Sequence, residues 1–367
     1  MSLFPIYSLS QSAYGKAVHS LLGKGEYHAQ KLYTEWFRTG KLVFSWVEPQ
    51  ARALVDQIVS LTEFAVAEVS SVQEDGAVRK FLLKYEDGLE AESVVIPMPF
   101  GNTLCISSQI GCRMGCAFCE TAKMGLIRSL TVTEIVQQVF AAKFVLGFSI
   151  QNLVFMGMGE PFDNYDAVMQ AISVLSNEGG VAIPLRNITV STSGKVPEIY
   201  QFAKEASPSL RLAVSLNAPN DSIRSKLMPV NKEWDLAALK LSMQEYCAHV
   251  KRKIFIEYVL MAGVNDSLDA AEQVADYLEG LSVSINLIPY NAQRSGRLIP
   301  PTEEKMQEFK QYLQGRGFRV LLRLSRGRSI MAACGQLGNR ALKELFTETE
   351  GKRIVSNYRA EPLWRGN

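Results

Sequence analysis

The chain has 367 residues, 47% of them hydrophobic and 21% charged, which gives ample apolar material for a core and excludes intrinsic disorder over most of its length. Lys and Arg number 39 against 37 Asp and Glu, so the net charge of +2 does not announce a polyanion binder, although a basic face can hide inside such a total. No stretch approaches the roughly eighteen apolar residues of a membrane span, and the N-terminus lacks a basic run followed by an apolar one, so the expectation is a cytoplasmic protein.

Helical periodicity over 14–22, 27–37 and 51–61 is followed by strand-like runs at 80–85 and 93–96, with Asp87-Gly88 where a hairpin would turn. Pro97-Met98-Pro99 then forms a seam. Residues 1–97 therefore read as an accessory domain, a small helical bundle followed by a β-hairpin. From residue 103 onward strands and helices alternate. The strands fall at 103–107, 152–156, 187–191, 210–215, 254–260, 283–288 and 319–323, and the helices at 133–145, 165–177, 196–203, 236–249, 268–278 and 303–314. Thr131 and Thr302 stand where helix N-caps would, with acidic residues in the first turns. Alternation on this scale predicts an α/β fold whose parallel sheet closes into a partial (β/α) barrel, spanning 98–345. Residues 346–367 form a polar, arginine-bearing tail. Chemistry in such barrels collects at the C-terminal ends of the strands.

Six cysteines in a reducing compartment are not expected to form structural disulfides. Four of them, Cys105, Cys112, Cys116 and Cys119, fall within fifteen residues. The last three have the spacing C-x3-C-x2-C, and Gly111 and Gly115 beside them favour a tight loop. Zinc asks for four ligands, and the only histidines, His19, His28 and His249, are remote in sequence. Three thiolates without a fourth protein ligand leave one iron of a 4Fe-4S cluster open to a substrate. Cys247 lies on an apolar helical face with Leu239 and Met243 and reads as core.

Cysteines so spaced after the first strand of an α/β barrel resemble the radical S-adenosylmethionine superfamily. The stretches LCISSQIGC at 104–112, FMGMGEP at 155–161, TVSTSG at 189–194, RSKLMPVN at 224–231, IEYV at 256–259, VND at 264–266, INLIP at 285–289 and AACGQL at 332–337 occur in this order. Together they resemble the RlmN/Cfr family of RNA adenine methyltransferases, over about 80–337.

The resemblance implies a barrel of the radical S-adenosylmethionine type, with Cys112, Cys116 and Cys119 on the cluster. Gly159, Glu160, Ser191, Ser215, Leu216, Asn217 and Asn291 would be S-adenosylmethionine contacts. It further implies a relay. Cys334 takes a methyl group from one S-adenosylmethionine, a radical from a second removes a hydrogen from that methyl, and the carbon radical adds to adenine. Glu92 accepts a proton during resolution of the adduct, and Cys105 attacks the sulfur of Cys334 to free the product, leaving a transient disulfide. Implied partners are ribosomal RNA, with transfer RNA as an additional candidate, and a cytosolic electron donor such as flavodoxin or ferredoxin; a monomer is the favoured state. The basic residues Lys16, Lys24, Lys31, Arg38 and Lys41, and the run Arg316, Arg319, Arg323, Arg326 and Arg328, read either as solvated faces or as phosphate contacts. Three departures stand out: Asn217 where the family often has His, Glu120 where it has Ala or Ser, and Ser329 where it has Asp. Rival readings are C8 methylation as in the Cfr branch, a radical enzyme with another substrate, and an iron–sulfur RNA-binding protein without turnover.

Overall fold

The structure is a computed structural model that describes residues 3–293, 297–323 and 326–338. The tail expected at 346–367 lies outside the described residues.

The N-terminal segment holds strand β1 (Phe4–Pro5), helices α1 (Gln11–Leu22), α2 (Glu26–Thr39) and α3 (Arg52–Ser60), and strand β2 (Thr62–Glu63), which pairs with β1 in parallel. Helix α1 begins where the Ser10 side chain accepts a hydrogen bond from Ala13 N and ends at Gly23 in the left-handed region. One face of α1 and α2 buries Tyr14, Val18, Leu32, Tyr33 and Phe37. These helices dock on the main body through aromatic rings. Trp36 stacks on Phe140 at 5.0 Å between centroids, and Tyr7 meets Phe140 edge-on at 5.3 Å.

Strands β3 (Glu68–Asp75), β4 (Val78–Lys84) and β5 (Glu90–Met98) follow as an antiparallel set, and β5 turns back into β6 (Gly101–Ile106). The sequence reading has two strands here rather than three before the barrel. Strand β3 was missed because it is a polar edge strand, largely solvated, with no apolar alternation to read. Strand β5 pairs with β6 in the register Val94 to Cys105, so the Pro97 seam lies inside a hairpin of the main sheet.

A small hairpin comes next, β7 (Gln109–Gly111) and β8 (Leu126–Ser129), with α4 (Glu120–Met124) between its arms. A Cβ on Gly111 would stand 1.8 Å from Gly125 O, so the hairpin can close only around glycine. Helix α5 (Val132–Phe140) opens on a complete capping box. Glu134 N donates to Thr131 Oγ1 and Thr131 N to the Glu134 carboxylate. The expected helix 133–145 changes at Ala141–Val145 into a π-helical turn.

The remaining elements alternate: β9 (Ile150–Phe155), α6 (Tyr165–Ser176), β10 (Ile188–Thr192), α7 (Val196–Glu205), β11 (Arg211–Ser215), α8 (Asp221–Leu227), α9 (Leu236–Val250), β12 (Ile254–Leu260), α10 (Leu268–Leu278), β13 (Val283–Pro289), α11 (Glu303–Gly315) and β14 (Val320–Leu322). Among the described residues one ten-stranded sheet has the order β14-β13-β12-β11-β10-β9-β6-β5-β4-β3. Its strands from β6 to β14 are parallel and added in sequence order, which is the expected α/β partial barrel. Helices cover the parallel part, so β13 is buried along its whole length and its sequence is a continuous run rather than an alternating one. Beyond β14, the 326–338 segment returns to the antiparallel strands: Arg326 donates to Pro97 O, and Gly338 N donates to Glu92 Oε1 at 3.0 Å. No helix among the described residues is long and apolar enough to cross a membrane.

Candidate active site

The C-terminal ends of the parallel strands surround a cavity of about 190 Å³. Its wall includes Cys112, Cys116 and Cys119, Gly159 and Glu160, Ser191, Ser215, Asn217, Asn291 and Cys334. Residues singled out at places from 112 to 334 thus meet around one space. Three others stand behind it: Leu216 is buried, and Cys105 and Glu92 lie on β6 and β5.

The cysteine loop leaves β7 and is held by its backbone. Cys112 N donates to Gly125 O at 2.9 Å, Ala117 N to Leu227 O at 2.9 Å, and Cys119 N to Cys116 O at 3.1 Å. Arg113, within the loop, pairs with the buried Asp163, which Lys195 also holds at 2.6 Å. Burial tends to raise Asp163, but the hydrogen bonds from Arg113 and Lys195 outweigh it and leave the carboxyl below its usual range. Burial, and then the charge of neighbouring thiols, pushes Cys112 and Cys116 up. All six cysteines are free. No three His, Cys, Asp or Glu side chains among the described residues converge on a single ion. Three thiols on one cavity wall suit three corners of a 4Fe-4S cluster whose fourth iron faces the cavity.

The wall beside this loop fits a small zwitterion. Gly159 has φ 101°, and a Cβ there would stand 2.6 Å from the Gln109 side chain, so the backbone itself forms the surface. Glu160 is buried. Its Oε2 accepts from Ser193 N at 2.7 Å and its Oε1 from Phe162 N at 3.1 Å. Burial raises its carboxyl, and those backbone donors oppose the rise. The hydroxyls of Ser193, beside Glu160, and Tyr290, beside the Gln293 backbone, also lie on the cavity wall. A buried carboxylate with hydroxyls around it matches a ligand that brings an ammonium group and polar edges.

Sequence reading missed what holds the strand ends. Arg224 is wholly buried and donates to Ser193 O at 2.7 Å, Ser215 O at 3.0 Å, Leu216 O at 3.1 Å and Asn231 Oδ1 at 3.0 Å. Burial lowers its guanidinium to about 10. One side chain thereby clamps β10 to β11, and it takes the Leu216 carbonyl for itself. Asn217 has φ 56°, tolerable for Asn, and its amide is committed: Oδ1 accepts from Val259 N at 2.8 Å, and Nδ2 lies 3.3 Å from the Met228 sulfur. Nothing in this arrangement needs a titrating group at 217.

Cys334 sits in a tethered segment. Asn291 Nδ2 donates to Cys334 O at 3.1 Å, Glu120 N to Gly335 O at 2.8 Å, Thr121 Oγ1 to Leu337 O at 2.6 Å, and Gln336 Nε2 to Ala292 O at 2.9 Å. A Cβ on Gly335 would press on Phe118 O at 3.0 Å, so this segment and the cysteine loop touch backbone to backbone. Cys334 is exposed at the cavity wall, yet protein surrounds it closely enough that burial raises its thiol. The charge of Glu257 raises it further and Arg323 opposes. Burial, and then Cys334, pushes the Cys105 thiol up. Cys105 shares a sheet face with Val94 and Lys80, and Lys80 reaches Met331 O, three residues before Cys334. Of the departures, Glu120 is buried and pairs with Lys123 at 3.1 Å, and Ser329 N donates to Asp75 Oδ2 at 3.3 Å. In the arginine run, Arg316 pairs with Asp276 at 2.7 Å and Arg323 reaches the cavity wall. Strand β14 covers Val320–Leu322 alone, so Arg319 and Arg323 flank it.

A partial barrel with such a loop after its first parallel strand defines a radical S-adenosylmethionine protein, and the Radical SAM superfamily model matches residues 106–277. The chain is 49% identical to the "Probable dual-specificity RNA methyltransferase RlmN 1" of Protochlamydia amoebophila, over 94% of this chain and 97% of that protein. It is 39% identical to the "Dual-specificity RNA methyltransferase RlmN" of Geobacter sulfurreducens, over 91% and 92%. The crystal structure of a radical SAM methyltransferase from Sphaerobacter thermophilus superposes with a TM-score of 0.83, at 36% identity, over 92% of this chain and 98% of that one. The chain belongs to the RlmN family of radical SAM methyltransferases, enzymes that use a 4Fe-4S cluster and S-adenosylmethionine.

Proposed function

We propose that this enzyme methylates carbon 2 of adenosine in 23S ribosomal RNA, and in transfer RNA as a second substrate, through a methyl group carried on Cys334. The observation that carries the reading is the meeting of the cysteine loop and the Cys334 segment at one cavity, the cysteine loop touching that segment backbone to backbone at Gly335. RNA as substrate draws support from the names of the relatives, which are dual-specificity RNA methyltransferases.

In this reading Cys112, Cys116 and Cys119 hold the cluster. Gly159, Glu160, Ser191, Ser215, Leu216, Asn217 and Asn291 surround S-adenosylmethionine, with Glu160 facing its ammonium group. The cluster, when bound, supplies the electron that cleaves S-adenosylmethionine and so a carbon radical able to take hydrogen from a methyl group. Carbon 2 of adenine is not nucleophilic, so direct attack on a sulfonium methyl fails there; a thiolate does not share that weakness. Cys334 loses its proton and takes the methyl. Once that carbon is bonded to the base, Glu92 accepts the proton from carbon 2, and the unpaired electron of the adduct would leave to a one-electron carrier, so that the linkage is closed-shell before it is opened. The Cys105 thiolate then attacks the Cys334 sulfur. The carbon–sulfur electron pair leaves with the former methyl carbon, which takes a proton to become the product methyl. The disulfide left between Cys105 and Cys334 is reset by a cytosolic thiol reductant.

The N-terminal helical segment, with Lys16, Lys24, Lys31, Arg38 and Lys41 all exposed, serves as an RNA-gripping face, while the strands of 68–97 belong to the main sheet. The target adenine must leave its stack to reach the cavity. A flavodoxin or ferredoxin in the cytoplasm supplies electrons to a monomeric enzyme.

The test is nucleoside mass spectrometry on RNA incubated anaerobically with the purified protein, S-adenosylmethionine and a reductant. The expected product is 2-methyladenosine. Cys116→Ala should lose both iron and product, and 8-methyladenosine from the unaltered enzyme would favour the Cfr-like alternative.

A further inference from the structure

Lysine is rarely buried unless it is paired. Lys80 on β4 is buried, and the register explains its surroundings. Lys80 stands opposite Val94, and Val94 opposite Cys105, so all three share one face of the sheet. Glu92 lies two residues from Val94 on that same face, diagonal to Lys80. The Lys80 ammonium is 3.3 Å from Glu92 Oε2, with the two side chains only 8% and 4% exposed. It also donates to Met331 O at 3.5 Å, while Glu92 Oε1 accepts from Gly338 N at 3.0 Å. The pair therefore grips the Cys334 segment at both ends, three residues before the cysteine and four after it. Glu92 Oε2 is buried and faces the Lys80 ammonium alone.

We propose that Lys80 is a positioning residue for resolution of the protein–RNA adduct, fixing Glu92 and the 331–338 segment in one frame and holding the Glu92 carboxylate as an anion for the proton of the base. This rests on the reading of Glu92 as proton acceptor given above. In the step served, the bond from carbon 2 to hydrogen breaks, its electron pair stays in the ring, the proton passes to the Glu92 carboxylate, and the unpaired electron of the adduct leaves to a one-electron carrier. Burial raises the Glu92 carboxyl. The Lys80 charge and the Gly338 N–H pull it back, and Glu90 is the other charged neighbour. Remove the ammonium and a buried carboxylate loses its cation, so the acceptor arrives already protonated or turned away.

Lys80→Met keeps the stem and deletes the charge. The expected result separates the steps: Cys334 is still methylated and S-adenosylmethionine is still cleaved, while released product falls by about a hundredfold, the order general-base catalysis supplies. The enzyme accumulates covalently attached to RNA. Lys80→Arg restores release. If Lys80→Met loses iron, Lys80→Gln, which keeps a donor for the Met331 carbonyl, takes its place and should stall likewise. Failure to methylate Cys334 would make Lys80 a tether of the segment and overturn the proposal; so would normal release. Glu92→Gln run alongside distinguishes the two levels. If it stalls while Lys80→Met releases product normally, the inference on Lys80 alone falls. If Glu92→Gln releases product normally, the proton-acceptor reading falls and takes the inference with it.

Discussion

Cys334→Ala is expected to abolish RNA methylation while leaving the iron content unchanged. The substitution removes a sulfur at an exposed position, and the segment around it is held by bonds that do not involve that sulfur. Asn291 grips the carbonyl of residue 334, and Glu120 and Thr121 grip the carbonyls of Gly335 and Leu337. The three cysteines of the β7–α4 loop are untouched. What disappears is the methyl carrier, and no other group can substitute, because carbon 2 of the base does not attack a sulfonium. Product formation should fall by at least about three orders of magnitude, the scale on which loss of a covalent nucleophile acts. Nucleoside mass spectrometry reads this directly, and the variant should also show no methyl on the protein. Methylation at an ordinary rate would remove the relay.

Cys105→Ala should give a different failure. Cys105 sits in β6, paired through its backbone to Val94 on one side and Val154 on the other, so the strand does not depend on the sulfur. Truncation to alanine costs roughly 1 kcal/mol of packing. The thiol is buried, and burial and then Cys334 push it up. Methylation of Cys334 and cleavage of S-adenosylmethionine should proceed in this variant. Opening of the bond between Cys334 and the former methyl carbon should not. The expected result is a protein linked to RNA through Cys334, seen on a denaturing gel and after nuclease digestion as an added nucleotide mass. The unaltered enzyme should show little of it, since an attacking thiol held beside the sulfur has a high effective concentration. Normal turnover would make Cys105 a packed strand residue; failure before Cys334 is methylated would make its role structural.

How far the sequence reached depended on the distance over which each signal acts. The cysteine loop announces itself within eight residues, and the parallel strands announce themselves as apolar runs, so the α/β barrel and the strand-end residues were readable. Strand β3 carries no apolar periodicity and was not. The π-helical turn at Ala141–Val145 continues the helical pattern and differs from it only in hydrogen bonding. Arg224 was quoted within a motif without a role, because its partners, the carbonyls of Ser193, Ser215 and Leu216, converge only after β10 and β11 lie side by side. The Lys80–Glu92 pair requires the exact register of β4 on β5, and the bond from Gly338 to Glu92 spans 246 residues. Asn217 read as an S-adenosylmethionine contact that departs from the family's usual His; its positive φ and committed amide give Asn a local reason to be there. Composition said nothing of the exposed lysines on α1 and α2, since a near-neutral total hides a basic face.

The central claim is that the product methyl passes through Cys334 instead of directly to the base, and the fate of hydrogen in that methyl tests it most directly. With S-adenosylmethionine fully deuterated in its methyl group, the relay predicts a product methyl that keeps two deuterium atoms and gains one hydrogen, with the third deuterium in 5′-deoxyadenosine. A product methyl that keeps all three deuterium atoms, with none in 5′-deoxyadenosine, would contradict the account.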